Sequence, residues 1–228
     1  LGGHHNTLFG VGTAQSLTGT SIQGLTCVGS HAGQSASNYS TYVGHYAGSS
    51  NTGTGNTVVG ADALKATQGG YNVAIGRGAM ESCEGSSNVA IGYQTMAYGS
   101  SSSESNVAIG HYAMAATSDY VQQGNTAIGV YSLNSLTDGD KNTAAGYQAG
   151  RYVTTGQDNT FLGHGAGGYW NGTRITTGSN NILIGKYSEP TSATVSNEIT
   201  LGDTAITKFR VPGLNFSIKD STATDNYV

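Results

Sequence analysis

Polar and apolar positions alternate along this chain in bursts of only five residues. The clearest burst is Asn72-Val73-Ala74-Ile75-Gly76, which returns as Asn88-Val89-Ala90-Ile91-Gly92 and as Asn106-Val107-Ala108-Ile109-Gly110. With the closing Gly as anchor, copies stand at Gly10, Gly29, Gly44, Gly60, Gly76, Gly92, Gly110, Gly129, Gly146, Gly163, Gly185 and Gly202, 15 to 22 residues apart. Asn precedes the anchor by four positions in nine of the twelve copies. A small residue follows it by three in every copy, from Thr13 and Ala32 to Ser188 and Ala205. A fixed motif at such a spacing predicts a solenoid with one motif per rung.

Each motif fits a short β-strand, whose side chains point alternately to opposite faces. The residue before the anchor is apolar in every copy, from Phe9 through Ile75 and Ile91 to Leu201, and the residue three before it is Thr, Val or Ile. Between them, on the opposite face, Ala predominates, with Leu8, Val58, Phe161 and Leu183 among the exceptions. Strands that are apolar on both faces are buried on both. One thin solenoid offers one interior, so the second face predicts a further layer, most simply identical chains around a common axis. The linkers between motifs, such as Tyr98-Gly99-Ser100-Ser101-Ser102-Ser103 and Thr137-Asp138-Gly139-Asp140, carry turn chemistry. The recurring Asn is expected to bond backbone amides or to ladder with its counterpart one rung away. No window holds a helical apolar stripe, so the fold class is all-β. At a strand spacing of about 4.8 Å, twelve rungs make a rod of roughly 55 Å.

Composition sharpens this picture. Gly accounts for 36 of 228 residues and charged residues for only 10%, but 14 Tyr and the regular aliphatic pattern argue against disorder. The net charge of -4 is thinly spread, which gives no footprint for nucleic acid, and no apolar run is long enough to insert in a membrane. The start at Leu1 without Met suggests a piece of something longer. Cys27 falls at a strand core position and Cys83 in a linker some three rungs away, which predicts two thiols rather than a disulfide.

The repeats occupy residues 1–202. Residues 203–228 break the period: Ile206-Thr207-Lys208-Phe209-Arg210-Val211-Pro212-Gly213-Leu214 alternates around a Pro-Gly turn and reads as a cap or transition segment. The string Asn-Val-Ala-Ile-Gly-x-x-Ala resembles the head domains of trimeric autotransporter adhesins. The longer, Tyr- and His-decorated rungs, with Glu198-Ile199-Thr200-Leu201-Gly202 and then Arg210-Val211-Pro212-Gly213-Leu214, more closely resemble bacteriophage tail-fibre and tailspike proteins. That resemblance implies a parallel left-handed β-roll assembled as a homotrimer. It also implies a place in the virion, contact with other tail proteins and with a host cell-surface glycan or protein, and a C-terminal intramolecular chaperone that cuts itself off. A bacterial adhesin head is the alternative. The motif also satisfies the hexapeptide rule of left-handed acyltransferase helices, but occurs once per rung rather than three times.

Candidate chemistry is sparse. Of the six histidines, His45, His111 and His164 directly follow an anchor but lie several rungs apart, so no metal cluster within one chain is expected. No triad, phosphate loop or other cofactor-binding motif is present. A glycan depolymerase, the less favoured enzymatic reading, would need carboxylates converging across chains. Ice binding would need a regular Thr ladder facing water, whereas these Thr alternate with Val and are expected to be buried. The variable residues after each anchor form an aromatic column: His45-Tyr46, Tyr93-Gln94, His111-Tyr112, Val130-Tyr131, Tyr147-Gln148 and Lys186-Tyr187. Tyr169-Trp170 precedes the longest linker. Tyr and Trp join a flat apolar face to a polar tip, which suits sugar stacking or protein contact. Tyr46, Tyr112, Tyr169 and Trp170 are therefore the candidate receptor- or glycan-binding residues.

Overall fold

The computed structural model describes residues 5–16, 22–65, 68–100, 102–115, 121–169 and 171–210. The strands are β1 (Thr7–Phe9), β2 (Thr26–Val28), β3 (Thr41–Val43), β4 (Thr57–Val59), β5 (Val73–Ile75), β6 (Ser82–Cys83) and β7 (Val89–Ile91). They continue as β8 (Tyr98–Gly99), β9 (Val107–Ile109), β10 (Thr126–Ile128), β11 (Thr143–Ala145), β12 (Thr160–Leu162), β13 (Ile182–Ile184) and β14 (Ile199–Leu201). All but β6 and β8 join one twelve-stranded parallel sheet in chain order; β6 and β8, in the linkers of neighbouring rungs, pair separately. Register is unshifted throughout, so Val73 faces Val89 and Ile75 faces Ile91. The fold is an all-β parallel solenoid, and no helix occurs among the described residues, hence none able to cross a membrane.

Why each rung turns where it does follows from the anchor. Gly76 has φ 130°, and a Cβ there would sit 2.3 Å from the carbonyl oxygen of Gly92 in the next rung. Only glycine tolerates both the dihedral and the approach. Past the anchor, the second and fourth residues take left-handed backbone, as at Gln94 (φ 47°) and Met96 (φ 47°). So does the residue before each Asn position, as at Ser87 (φ 60°).

The recurring Asn does both things expected of it. Asn88 N–H donates to Asn72 Oδ1 at 2.9 Å, while Asn88 Nδ2 donates to the linker carbonyl of Ser103 at 2.8 Å. The same pair of bonds recurs from Asn72 to Asn181, all fully or almost fully buried. At the end of the column Glu198 replaces Asn, and its N–H still donates to Asn181 Oδ1. Each side chain thus closes its own rung and satisfies the amide of the next, and an orphaned buried partner costs about 1–3 kcal/mol.

The interior is built from the middle strand residue and the residues three and four past the anchor. Ala74, Ala90 and Ala108 are fully buried, and Met80, Met96 and Met114 fill the space they leave. Where the strand residue is large the trade reverses. Tyr42 and Phe161 are fully buried, and glycine stands beside each: a Cβ on Gly48 would lie 2.0 Å from the Tyr42 ring, and one on Gly150 would lie 2.7 Å from Phe161. Volume is traded within a rung at Tyr42 and Gly48 and between neighbouring rungs at Phe161 and Gly150, as close packing demands. The Tyr42 hydroxyl donates to Asn51 Oδ1 at 2.8 Å, so its polar end is satisfied too.

The described residues cover only one strand face. Val73 is half-buried and Ile75 is 37% exposed; Phe9, Ile128, Leu162 and Leu201 are more exposed still. The sequence pattern predicted burial on both faces, including for the Thr positions, yet Thr7, Thr57 and Thr143 are exposed in the single chain. Cys27 and Cys83 are both buried thiols and not a disulfide pair. Of the cap segment, Ile206 to Arg210 are exposed and outside any strand; its remainder, 211–228, lies outside the described residues.

Two outcomes follow. Gly48→Ala should destabilise by about 2–4 kcal/mol, the sum of left-handed strain and overpacking. In a Tyr42→Ala background its cost should fall to about 1 kcal/mol, the strain alone; equal costs in both backgrounds, by denaturant melts, would contradict the volume trade. Burial pushes the Cys27 thiol from its ordinary 9.0 up to about 12. Between those values the unfolded thiol is ionised and the folded one is not, so the unfolded state binds fewer protons and stability falls as pH rises. Tyr42, raised by burial, adds to the same alkaline loss. Thermal melts should therefore show a shallower alkaline decline for Cys27→Ala than for the unmodified chain.

Candidate functional site

The residues one and two past each anchor lie on the edge where the chain leaves the sheet. The unshifted register stacks them into columns, and the aromatic ones meet in three groups. In the first, His31 stacks on Tyr46 at 4.7 Å between centroids, and His45 meets the same ring edge-on at 4.4 Å. In the second, Tyr93 and His111 lie 5.2 Å apart, His111 touches Tyr112 at 4.4 Å, and Tyr112 stacks on Tyr131 at 5.5 Å. In the third, His164 contacts Tyr147, Tyr169 and Tyr187, and Tyr169 lies 4.6 Å from Tyr187.

Cations cover these rings. Lys65 lies 5.5 Å from Tyr46, Arg77 5.9 Å from Tyr93, Arg151 4.9 Å from Tyr131 and Lys186 4.7 Å from Tyr187. Arg151 and Arg174 both approach Tyr152, at 5.5 and 4.4 Å. Crowding shows in the hydroxyls. Loss of water, then the neighbouring tyrosines, raises Tyr112 and Tyr169 above the ordinary phenol value. A shallow cleft of about 450 Å³ closes the C-terminal end, where Tyr187 joins Glu189 and Asp203.

The second position past the anchor is left-handed whatever its side chain: His31, Tyr46, Tyr112, Tyr131 and Tyr187 hold φ between 54° and 58°, as do Asp62 and Gln148, while Gly12, Gly78 and Gly165 occupy the same place in other rungs. Glycine meets the backbone requirement at lower cost, so the aromatic rings are not there to shape the turn.

Of the four candidate residues, Tyr46, Tyr112 and Tyr169 each fall in a different aromatic group. Tyr46 and Tyr112 share a column position but stand four rungs apart, about 19 Å at ordinary strand spacing. Trp170 lies outside the described residues. Lys186 was already placed beside Tyr187 by the sequence, but the other cations were missed: Arg77 follows its anchor directly and was legible there, whereas Arg174 sits in a linker with no fixed offset from any anchor. Among the described residues no three His, Cys, Asp or Glu side chains are grouped to hold a metal ion.

If the rings serve contact rather than folding, Tyr112→Gly should melt at or above the temperature of the unmodified protein. A lower melting temperature would make the Tyr112 ring a structural prop. Known proteins offer no assignment, because no family model, curated protein or solved structure matches this chain.

Proposed function

We propose that this chain is a structural, host-surface receptor-binding segment of a trimeric phage tail fibre or spike, with its aromatic edge presented to a cell-surface glycan or protein. The observation that carries the reading is the uncovered apolar face of the sheet. Two continuous columns run along it, one of Thr, Val and Ile from Thr7 to Ile199, the other almost wholly large and apolar from Phe9 to Leu201. Water-exposed apolar area on this scale is the mark of an interaction surface. A second and third copy supply what would cover it, because each copy brings the same apolar sheet face of the same length, and a closed symmetric ring leaves no face open.

The resemblance of the Asn-Val-Ala-Ile-Gly rungs and of the Glu198 to Leu214 region to phage fibres supports the location in a virion. A rod that keeps its strand register constant while varying the side chains on one edge suits display of a binding surface.

Ile91→Asp tests the assembly. Ile91 points to the outer face, so the substitution leaves the Ala90 interior untouched. The assembled species should disappear from size-exclusion chromatography with light scattering, and binding to host bacteria should fall with it. An Ile91→Asp protein that assembles and attaches as before contradicts the reading.

A further inference from the structure

Along the aromatic edge most charges are scattered singly, but at one place two cations share a ring. Arg174 lies 4.4 Å and Arg151 5.5 Å from the centroid of Tyr152, and Arg151 also reaches Tyr131 at 4.9 Å. All four side chains are half-buried. Among the described residues neither guanidinium is ion-paired with a carboxylate; the cation over Tyr46 differs, since Lys65 is held by Asp62 at 3.1 Å. Of the nearby carboxylates, Glu198 is held by Thr191 and Thr200, Asp203 lines the cleft with Tyr187, and Glu189 lies against Gly172 without ion-pairing to Arg174. Two like charges therefore converge, in a chain with only nine Lys and Arg and a net charge of -4, without an anion between them.

We propose that Arg151, Arg174, Tyr152 and Tyr131 form a subsite for a carboxylated sugar, a hexuronate or sialate residue of a surface polysaccharide. The guanidinium fork matches the two oxygens of a planar carboxylate, and a tyrosine face accepts the apolar side of a pyranose ring. Cation and ring lie side by side here, the pairing that one acidic sugar residue needs. The assignment rests on the reading of this edge as a receptor-binding surface and names its ligand class.

Oligogalacturonate is the probe, titrated calorimetrically against the full chain, with a neutral galactose oligomer, inorganic phosphate and polyglutamate in parallel. Oligogalacturonate should bind, and more weakly at high salt. Affinity should drop at least tenfold in Arg151→Gln/Arg174→Gln, fall less in Arg174→Lys, and hold in Lys208→Gln, whose side chain is exposed and away from the aromatic groups. Should the double variant not fold, acidification of the unmodified protein reads the same contact, because binding should vanish as the sugar carboxylate protonates near pH ~3.5. Equal binding of the neutral oligomer, phosphate or polyglutamate, or no binding of oligogalacturonate, overturns the assignment. Attachment of the unmodified protein to host cells, measured alongside, keeps the two readings apart. Attachment without acidic-sugar binding discards the subsite alone, and absence of attachment discards the receptor-binding reading.

Discussion

Everything in this molecule depends on how closely one rung lies on the next. The anchor glycines meet backbone to backbone, with no room for even a methyl group between Gly76 and the carbonyl of Gly92. That contact forces unshifted register, and unshifted register turns each position of the motif into a column. Interior packing, the buried Asn ladder and the aromatic edge all follow, because a residue can be chosen for its column without regard to the rest of the rung. Variation in linker length is absorbed away from the sheet and leaves the columns aligned.

The columns divide the work. Interior positions trade volume between neighbours, so that Met80, Met96 and Met114 accompany alanines while Gly48 and Gly150 make room for Tyr42 and Phe161. The Asn column joins rungs through charge-neutral hydrogen bonds that stay buried and unaffected by salt. The edge column carries residues whose left-handed backbone glycine would satisfy more cheaply, and the rings kept there gather along one edge of the sheet.

Much of this was legible in the sequence, for a physical reason. Gly, Asn and the small residue three past each anchor are dictated by backbone geometry, so they recur and announce the rung. Which apolar face turns inward was harder, since Val73 and Ile75 are as apolar as Ala74; small size at the middle position is the signal, because three short strand residues leave little space inside a thin roll. The pairing of Gly48 with Tyr42 crosses from one side of a rung to the other, and although both stand at fixed offsets from Gly44, the trade in volume shows only once the two positions are known to meet. The meeting of Arg174 with Tyr152 was hidden likewise, because linkers have no common length.

On the proposed reading, the sheet face bearing Phe9, Ile75, Ile128, Leu162 and Leu201 is an interface between copies of this chain. Sedimentation equilibrium of the unmodified protein addresses it most directly. A folded species of three times the 23.2 kDa chain mass, persisting on dilution, is the expected result. A folded, soluble monomer at the same concentrations would contradict it.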